Sequence, residues 1–176
     1  MKTLEKVLLA TDFSGSSDYA VSWAIDIGKK FNSEVVLLHV ISKDYDLSLV
    51  TNMVRKAAMD QLGILREKFE LANVKTIQPI IRIGKICDVI VQVAEEQDVN
   101  SIIMGSGEKN DRDRFQLGTT TEKVIRKADV PVWVIKNHDH NKIERILCPV
   151  DFSDSSRRAL KNAIHLSRKF GAHLYV

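Results

Sequence analysis

Between Glu5 and Lys136 the sequence alternates between short runs rich in β-branched residues and longer stretches whose apolar residues recur at helical spacing. The short runs are KVLLAT, SEVVLLHVI, VKTIQPIIRI, SIIMGS and VPVWVIK, and they are apolar along most of their length. Strands of this kind are buried on both faces, as they are in a parallel sheet that helices cover on each side. The pattern therefore predicts an α/β fold with five strands and four helices between them.

Four stretches between the apolar runs predict the helices. In the first, Ser16 to Phe31, the residues Ala20, Ala24 and Ile27 recur every three or four positions behind serines that are possible amino-terminal caps. Right-handed crossovers favour a doubly wound, five-stranded parallel sheet with strand order 3-2-1-4-5 and helices on both faces. A ligand crevice is then expected where strands one and four end. The other predicted helices run from Leu47 to Leu71, from Lys85 to Gln97 and from Thr119 to Ala128.

The beginning of this pattern occurs twice in the chain. The segment from Lys6 to Leu37 returns without gaps from Arg145 to Val176, so that Asp12-Phe13-Ser14 aligns with Asp151-Phe152-Ser153. A repeat of this length indicates a duplicated domain, and the second copy ends within its expected second strand, as in a fragment of a tandem protein. We predict a complete domain over residues 1–137, a polar linker over 138–142 and an incomplete β-α-β copy over 143–176.

The composition favours a globular protein without a membrane segment or a nucleic-acid partner. Of the 176 residues, 44% are hydrophobic and 28% are charged, and no apolar run reaches the ~20 residues that span a bilayer. The amino terminus lacks the pattern of a secretion signal, which favours a cytoplasmic location. The net charge of +3 is small and basic residues are interleaved with acidic ones, which argues against nucleic acid. Cys87 and Cys148 lack the spacing of a zinc or dithiol site and are predicted to be reduced core residues.

Asp12 is the first candidate for ligand binding, because it follows strand one at the expected crevice. Its carboxylate could accept hydrogen bonds from a base or a ribose, or it could cap the turn and helix that follow. The residue type alone leaves both roles open.

The segment after strand four is the second candidate. It contains Met104 to Gly107, a charged loop, and Gly118 to Thr121 at the start of a helix. Glycines let a backbone approach an anion closely, and the free amides at a helix amino terminus attract negative charge, so the segment suits a phosphate. Thr119 and Glu122 also have the spacing of a capping box, which needs no ligand. Both interpretations remain open at this point.

Together these residues resemble the universal stress protein family, in which an aspartate follows strand one and a G-x2-G-x9-G-[ST] motif follows strand four. Asp12 matches the aspartate, Gly105 the first glycine and Gly118-Thr119 the final pair. The likeness extends through the strand ends of the first domain, including His39-Val40 and Val130 to Val134, and through the second copy.

The resemblance implies that the first domain is a regulatory module of the stress response that binds ATP and hydrolyses it slowly at most. It also implies that Asp12 holds the ribose or base, that the backbone of Val40 meets the adenine, and that Thr119 contacts a phosphate. We expect a binding protein rather than an enzyme, with His39 as a packed or capping residue. The predicted nucleotide-binding residues are Asp12, Val40, Met104, Gly105, Gly107, Gly118, Thr119 and Thr120.

One position departs from the family motif. Glu108 stands in place of the middle glycine, with Gly107 one residue earlier. A carboxylate beside a triphosphate repels it unless Mg²⁺ or a basic neighbour intervenes, and Lys109, Arg112 and Arg114 supply positive charge in the same loop. The alternative prediction is a family member that binds no nucleotide and acts as a dimeric interaction module.

The last strand of the first domain predicts association. Val132 to Ile135 should lie at the sheet edge, where unpaired backbone groups invite a second strand. The resemblance implies antiparallel pairing through this element, and the second copy has no equivalent strand to supply it. The prediction is a homodimer formed by the first domains of two chains.

Overall fold

The computed structural model describes residues 4–43, 51–107, 117–136 and 142–176. The chain divides into two compact units, Met1–Asn137 and His138–Val176. The first unit alternates strands and helices, as the sequence predicts. Its elements are β1 (Lys6–Ala10), α1 (Gly15–Phe31), β2 (Glu34–Ser42), α2 (Thr51–Leu71), β3 (Lys75–Thr76), β4 (Ile80–Gly84), α3 (Ile86–Glu96), β5 (Ser101–Gly105), α4 (Thr119–Lys127) and β6 (Val132–Ile135).

The first unit is built around a parallel sheet. β1 lies between β2 and β5, β6 pairs with the other side of β5, and both β3 and β4 pair with β2. The predicted α/β fold with a parallel sheet is therefore confirmed. The predicted order 3-2-1-4-5 matches the observed order when β3 and β4 are counted as one strand.

The third predicted strand, VKTIQPIIRI, forms two short strands instead of one. β3 pairs Thr76 with Val35, whereas β4 pairs Ile80 with Leu38, so the outer chain has one more residue than β2 between the two pairings. Pro79 lies in this interruption and has no N–H to donate to β2. The extra residue and the missing donor explain why pairing stops after β3 and resumes at β4.

The sheet is buried on both faces, which explains its continuous apolar strands. Val7 and Leu9 of β1 pack into one core with α1 and α2, while Leu8 packs into a second core with α3 and α4. All three side chains are fully buried. Successive residues of a strand point to opposite faces, so burial stabilises every position, by roughly 1.5–3 kcal/mol for a large apolar side chain.

The second unit repeats the beginning of the first. It contains β7 (Arg145–Leu147), α5 (Asp154–Phe170) and β8 (His173–Tyr175), and the two strands are parallel. The pairing of Arg145 with His173 corresponds, residue for residue in the repeat, to the first pair of β1 and β2. The predicted β-α-β copy is therefore present, with the strand register of the first copy.

Both cysteines are buried and free, Cys87 in α3 and Cys148 after β7. This agrees with the prediction of buried residues, and Cys87 packs into the core that Leu8 shares with α3 and α4. No helix in the described ranges is long and apolar enough to cross a membrane.

Candidate functional site

A cavity opens where β1 and β5 end, at the crevice that the strand order predicts. Its volume is about 310 Å³. It is lined by the turn after β1, the end of β5, the beginnings of α1, α3 and α4, and two side chains of β2. The structure brings all eight predicted binding residues to this cavity: Asp12, Val40, Met104, Gly105, Gly107, Gly118, Thr119 and Thr120.

The turn after β1 holds the Asp12 carboxylate in place. Its Oδ1 atom accepts hydrogen bonds from the Ser14 amide at 3.0 Å, from the Ser14 hydroxyl at 2.6 Å, and from the Ser17 hydroxyl. Phe13, which lies between Asp12 and Ser14 in the chain, has a left-handed backbone with a φ of 62°. Within the described ranges Oδ2 accepts no hydrogen bond, so this oxygen is the one available to a ligand.

The hydrogen bonds of this turn bear on whether Asp12 caps the turn and helix that follow it or is available to bind a ligand. Ser14 occupies the N-cap position of α1, but its side chain makes no capping hydrogen bond to the helix. The serine hydroxyl donates to Asp12 instead. Asp12 therefore stabilises the turn through one carboxylate oxygen and leaves the second oxygen free of that role.

The Asp12 carboxyl is held in its charged form. Partial burial alone would raise its pKa, but the hydroxyls of Ser14 and Ser17 and the Ser14 amide outweigh burial and lower the pKa below the ordinary 3.8. A carboxyl whose pKa is lowered by folding stabilises the fold above its unfolded-state pKa, and this contribution is lost as the pH falls through the folded-state pKa. At neutral pH the cavity therefore borders on a negative charge.

The His39 ring packs against this turn from β2. It stacks on the Phe13 ring with 4.5 Å between the ring centroids, and its Nδ1 atom lies 2.9 Å from the carbonyl oxygen of Thr11. The expectation that His39 is a packed residue is confirmed. Its contacts join β2 to the turn that contains Asp12.

Backbone atoms form the side of the cavity at the end of β5. A Cβ atom on Gly105 would lie 2.9 Å from the carbonyl oxygen of Ser16, so the end of β5 touches the first turn of α1. The Thr121 hydroxyl donates to the Gly105 carbonyl at 3.2 Å and joins α4 to the same point. A side chain at position 105 would therefore separate α1 from β5.

Gly107 and Gly118 make a backbone contact at the base of the loop that joins them. Gly107 has a φ of 82°, and a Cβ atom on it would lie 2.9 Å from the Gly118 Cα atom. The Gly118 amide donates to the Ser106 carbonyl at 2.8 Å and holds the two ends together. Gly107 stands one residue before the glycine of the family motif, yet both its backbone conformation and its contact favour glycine.

The charged loop itself lies outside the described residues. The four side chains on which the predicted charge balance depends are Glu108, Lys109, Arg112 and Arg114.

The first turn of α4 lies in the wall of the cavity. Gly118 is the N-cap residue and Thr119 is already helical, so the capping box of Thr119 with Glu122, one of the two interpretations of this segment, is not formed. The first amides of a helix have no intrahelical acceptor, and they concentrate partial positive charge. Because Thr119 and Thr120 line the cavity, this positive end is directed to it.

An apolar surface completes the cavity. It consists of Leu38 and Val40 from β2, Ile86 and Ile90 from α3, and Met104 from β5. Apolar walls with a few well-placed polar groups are typical of small-molecule sites, and such a wall suits the face of a flat ring. The two isoleucines were not predicted, because apolar residues at helical spacing indicate core packing.

The second unit repeats the aspartate turn. The Ser153 amide donates to Oδ1 of Asp151 at 3.0 Å, and Phe152 has a left-handed φ of 65°. The Ser153 hydroxyl and amide, together with the Ser156 hydroxyl, lower the pKa of Asp151 to about 2. Residues 138–176 contain no counterpart of the glycine segment, so the turn recurs without the rest of the cavity.

The sequence matches the model of the universal stress protein family over residues 3–136 and again over residues 142–176. Universal stress protein MJ0577 of Methanocaldococcus jannaschii is 29% identical over 154 residues, which cover 75% of this chain and 94% of that protein. A solved structure of MJ0577 superposes with a TM-score of 0.69 at 30% identity, covering 78% of this chain and 99% of that chain.

Two solved structures from Archaeoglobus fulgidus are also similar. A universal stress protein of this organism is 26% identical with a TM-score of 0.82, and the match covers 98% of this chain and 64% of that chain. A universal stress protein solved in complex with dAMP is 20% identical with a TM-score of 0.57, covering 76% of this chain and 99% of that chain. At 20% identity the likeness concerns the fold alone.

Proposed function

The chain belongs to the universal stress protein family, and on this basis we propose that its first unit is a regulatory module that binds ATP or a related adenine nucleotide. The observation that carries the proposal is the cavity, where a charged carboxylate, an apolar wall and a helix amino terminus meet. These three chemistries correspond to the ribose, the base and the phosphates of one nucleotide.

The nucleoside half of the ligand is assigned to the β1 and β2 side of the cavity. The Oδ2 atom of Asp12 accepts a hydrogen bond from the ribose or from the base. The base lies against the apolar wall that includes Val40, Ile86 and Ile90, with its edge at the backbone of Val40. A cavity of about 310 Å³ lies at the small end of the range of roughly 300–1,000 Å³ that is typical of ligand pockets.

The phosphates are assigned to the first turn of α4. Amides at a helix amino terminus bind phosphate without a charged side chain, and the hydroxyls of Thr119 and Thr120 add donors beside them. Gly107 and Gly118, which contact each other here, place no side chain of their own beside this turn. Within the described ranges no group of three acidic, histidine or cysteine side chains could hold a metal ion. Mg²⁺ is proposed to enter with the phosphates, because a phosphate-bound Mg²⁺ needs only a few ligands from the protein.

A structure of the same fold supports the choice of adenine. The second of the two Archaeoglobus fulgidus structures is a complex with dAMP, so in that protein the fold holds an adenine nucleotide. For this chain the assignment depends on the cavity residues.

Calorimetric titration of the purified chain with ATP, with and without Mg²⁺, tests the proposal. We expect measurable binding and a higher melting temperature, because a ligand that binds the folded state stabilises it. ATP turnover is expected to be slower than about 1 per second, the low end of ordinary enzyme rates. No binding in either condition, with no nucleotide released when freshly purified protein is denatured, would overturn the proposal and favour the nucleotide-free interaction module.

We also propose that two chains associate through β6. Among the described residues β6 pairs with β5 alone, so its other edge presents unpaired backbone groups. The side chains of Val132, Trp133 and Val134 are partly exposed along this strand. Sedimentation equilibrium at micromolar concentration is expected to give the mass of a dimer, and a monodisperse monomer would contradict the proposal.

A further inference from the structure

Ser17 is a buried residue of α1 whose hydroxyl contacts two groups of Asp12. The hydroxyl donates a hydrogen bond to Oδ1 of the Asp12 carboxylate, and it accepts a hydrogen bond from the Asp12 amide at 3.4 Å. The residue is 4% exposed and lies in the wall of the cavity. The Ser17 hydroxyl is therefore turned to the aspartate turn rather than to solvent, and it also lies 3.4 Å from the Ser14 hydroxyl.

Three donors meet on one oxygen of this carboxylate. The Ser14 amide, the Ser14 hydroxyl and the Ser17 hydroxyl all bond Oδ1, and Oδ2 accepts no hydrogen bond within the described ranges. Hydrogen bonds to an ionised acceptor are among the strong ones, and three of them restrict rotation of the side chain. The carboxylate is thus fixed by one oxygen and open at the other.

We propose that Ser17 is a positioning residue of the nucleotide site, which holds Oδ1 of Asp12 so that Oδ2 stays placed to accept a hydrogen bond from the bound nucleoside. The inference rests on the proposed function. It adds a residue that acts through Asp12, in the way that supporting hydrogen bonds fix the geometry of a binding group.

The two copies of the turn differ in how they use their serines. In the second unit the Ser153 hydroxyl accepts a hydrogen bond from the Ser156 amide at 3.1 Å and so caps α5. In the first unit the equivalent Ser14 makes no such cap, and its hydroxyl donates to Asp12. A serine that served only to start the helix would be expected to cap it in both copies. Serine hydroxyls act on the aspartate in both copies, since those of Ser153 and Ser156 lower the pKa of Asp151. The difference lies in the N-cap, because in the first copy Ser14 donates to the carboxylate and does not cap the helix.

A double-mutant cycle on ATP binding separates positioning from general support of the fold. Ser17→Ala is expected to raise the Kd about tenfold, the size expected for one hydrogen bond to a charged group. In an Asp12→Ala background the same change is expected to have little further effect, because Ser17 acts through that carboxylate. Ser17→Thr retains the hydroxyl and is expected to retain most of the affinity.

Ser156→Ala is the matched control. It removes the equivalent hydroxyl beside Asp151, where the same turn lacks the glycine segment. We expect this variant to bind ATP like the wild type. The melting temperature of each variant shows whether it is folded.

A second measurement needs no nucleotide. Titration of the Asp12 carboxyl by carbon-13 NMR is expected to show a higher pKa in Ser17→Ala than in the wild type, since a donor to the charged form is lost. The titratable ring that packs at this turn is His39, which bonds the Thr11 carbonyl rather than the carboxylate. An unchanged Asp12 pKa in Ser17→Ala would contradict the proposal even if ATP affinity fell.

The outcomes distinguish failure of the proposed function from failure of the positioning role. Failure of the wild type to bind ATP would overturn the proposed function and this inference with it. Two results would overturn the positioning role alone. In the first, Ser17→Ala binds ATP as tightly as the wild type. In the second, Ser17→Ala lowers the ATP affinity equally in the wild-type and in the Asp12→Ala background.

Discussion

Gly107→Ala is expected to weaken nucleotide binding about tenfold or more and to destabilise the first unit by about 2–4 kcal/mol. The new Cβ atom would lie 2.9 Å from the Gly118 Cα atom, which is too close for two carbon atoms that are not bonded, so the two backbone segments would have to move apart. The φ of 82° adds a conformational cost of roughly 1–2 kcal/mol for a residue with a side chain. Displacement of Gly118 would move the first turn of α4, whose amides are proposed to hold the phosphates.

Two further alanine variants isolate the contact. Gly118→Ala places its Cβ atom 3.1 Å from the Gly107 Cα atom without a positive φ, so smaller losses of affinity and stability are expected. Gly63→Ala in α2 meets no atom within 4 Å and is expected to stabilise the helix by about 0.5–1 kcal/mol. Both tryptophans, Trp23 and Trp133, belong to the first unit, so unfolding in urea followed by their fluorescence reports on that unit. Wild-type ATP affinity in Gly107→Ala would show that the glycine contact is not needed.

The role of Gly107 illustrates what the sequence alone does not supply. The family motif expects a glycine at position 108, and the sequence shows only that Gly107 stands one residue earlier. Its contact with Gly118 depends on a left-handed backbone and on the position of α4 beside the end of β5. No hydrophobic period and no local propensity encodes a contact between residues this far apart in the chain.

Features that repeat or alternate could be predicted. The apolar run Val7-Leu8-Leu9 predicts a strand covered on both faces, and all three side chains are fully buried. The predicted helix Ser16 to Phe31 is observed as Gly15–Phe31, because its period of three and four extends along the whole segment. The interruption at Pro79 was not predicted, although proline within a strand is a signal for it.

In the candidate site too, features with a local sequence signal could be predicted, and contacts between distant elements could not. The resemblance places Asp12 and the glycine segment, and the fold brings them to one cavity. Ser17, Ile86 and Thr121 escaped prediction, because serine and threonine near a helix start are ordinary capping residues and isoleucine is an ordinary core residue. Their contribution arises from the meeting of three elements that lie far apart in the sequence.

Asp12→Ala is expected to weaken ATP binding about 10- to 100-fold, which corresponds to the roughly 1.5–3 kcal/mol of a hydrogen bond to a charged group. Asp151→Ala is expected to leave ATP binding unchanged. The two aspartates occupy equivalent turns, each with a left-handed phenylalanine after it and a serine amide 3.0 Å from Oδ1. Asp151→Ala therefore controls for the loss of an aspartate from a turn of this kind, and the difference in ATP affinity between the two variants measures the contribution of the complete cavity.

Calorimetry on the wild type and both variants gives affinity and stoichiometry together. One nucleotide for each chain is expected, because the glycine segment from Gly105 to Thr119 accompanies Asp12 and has no counterpart in residues 138–176. Asp12→Asn keeps the shape of the side chain and one acceptor oxygen but loses the charge, so its affinity should fall between those of the wild type and Asp12→Ala. Equal losses in Asp12→Ala and Asp151→Ala, or two nucleotides for each chain, would mean that the second copy of the turn also binds, and the glycine segment would no longer explain which copy carries the site.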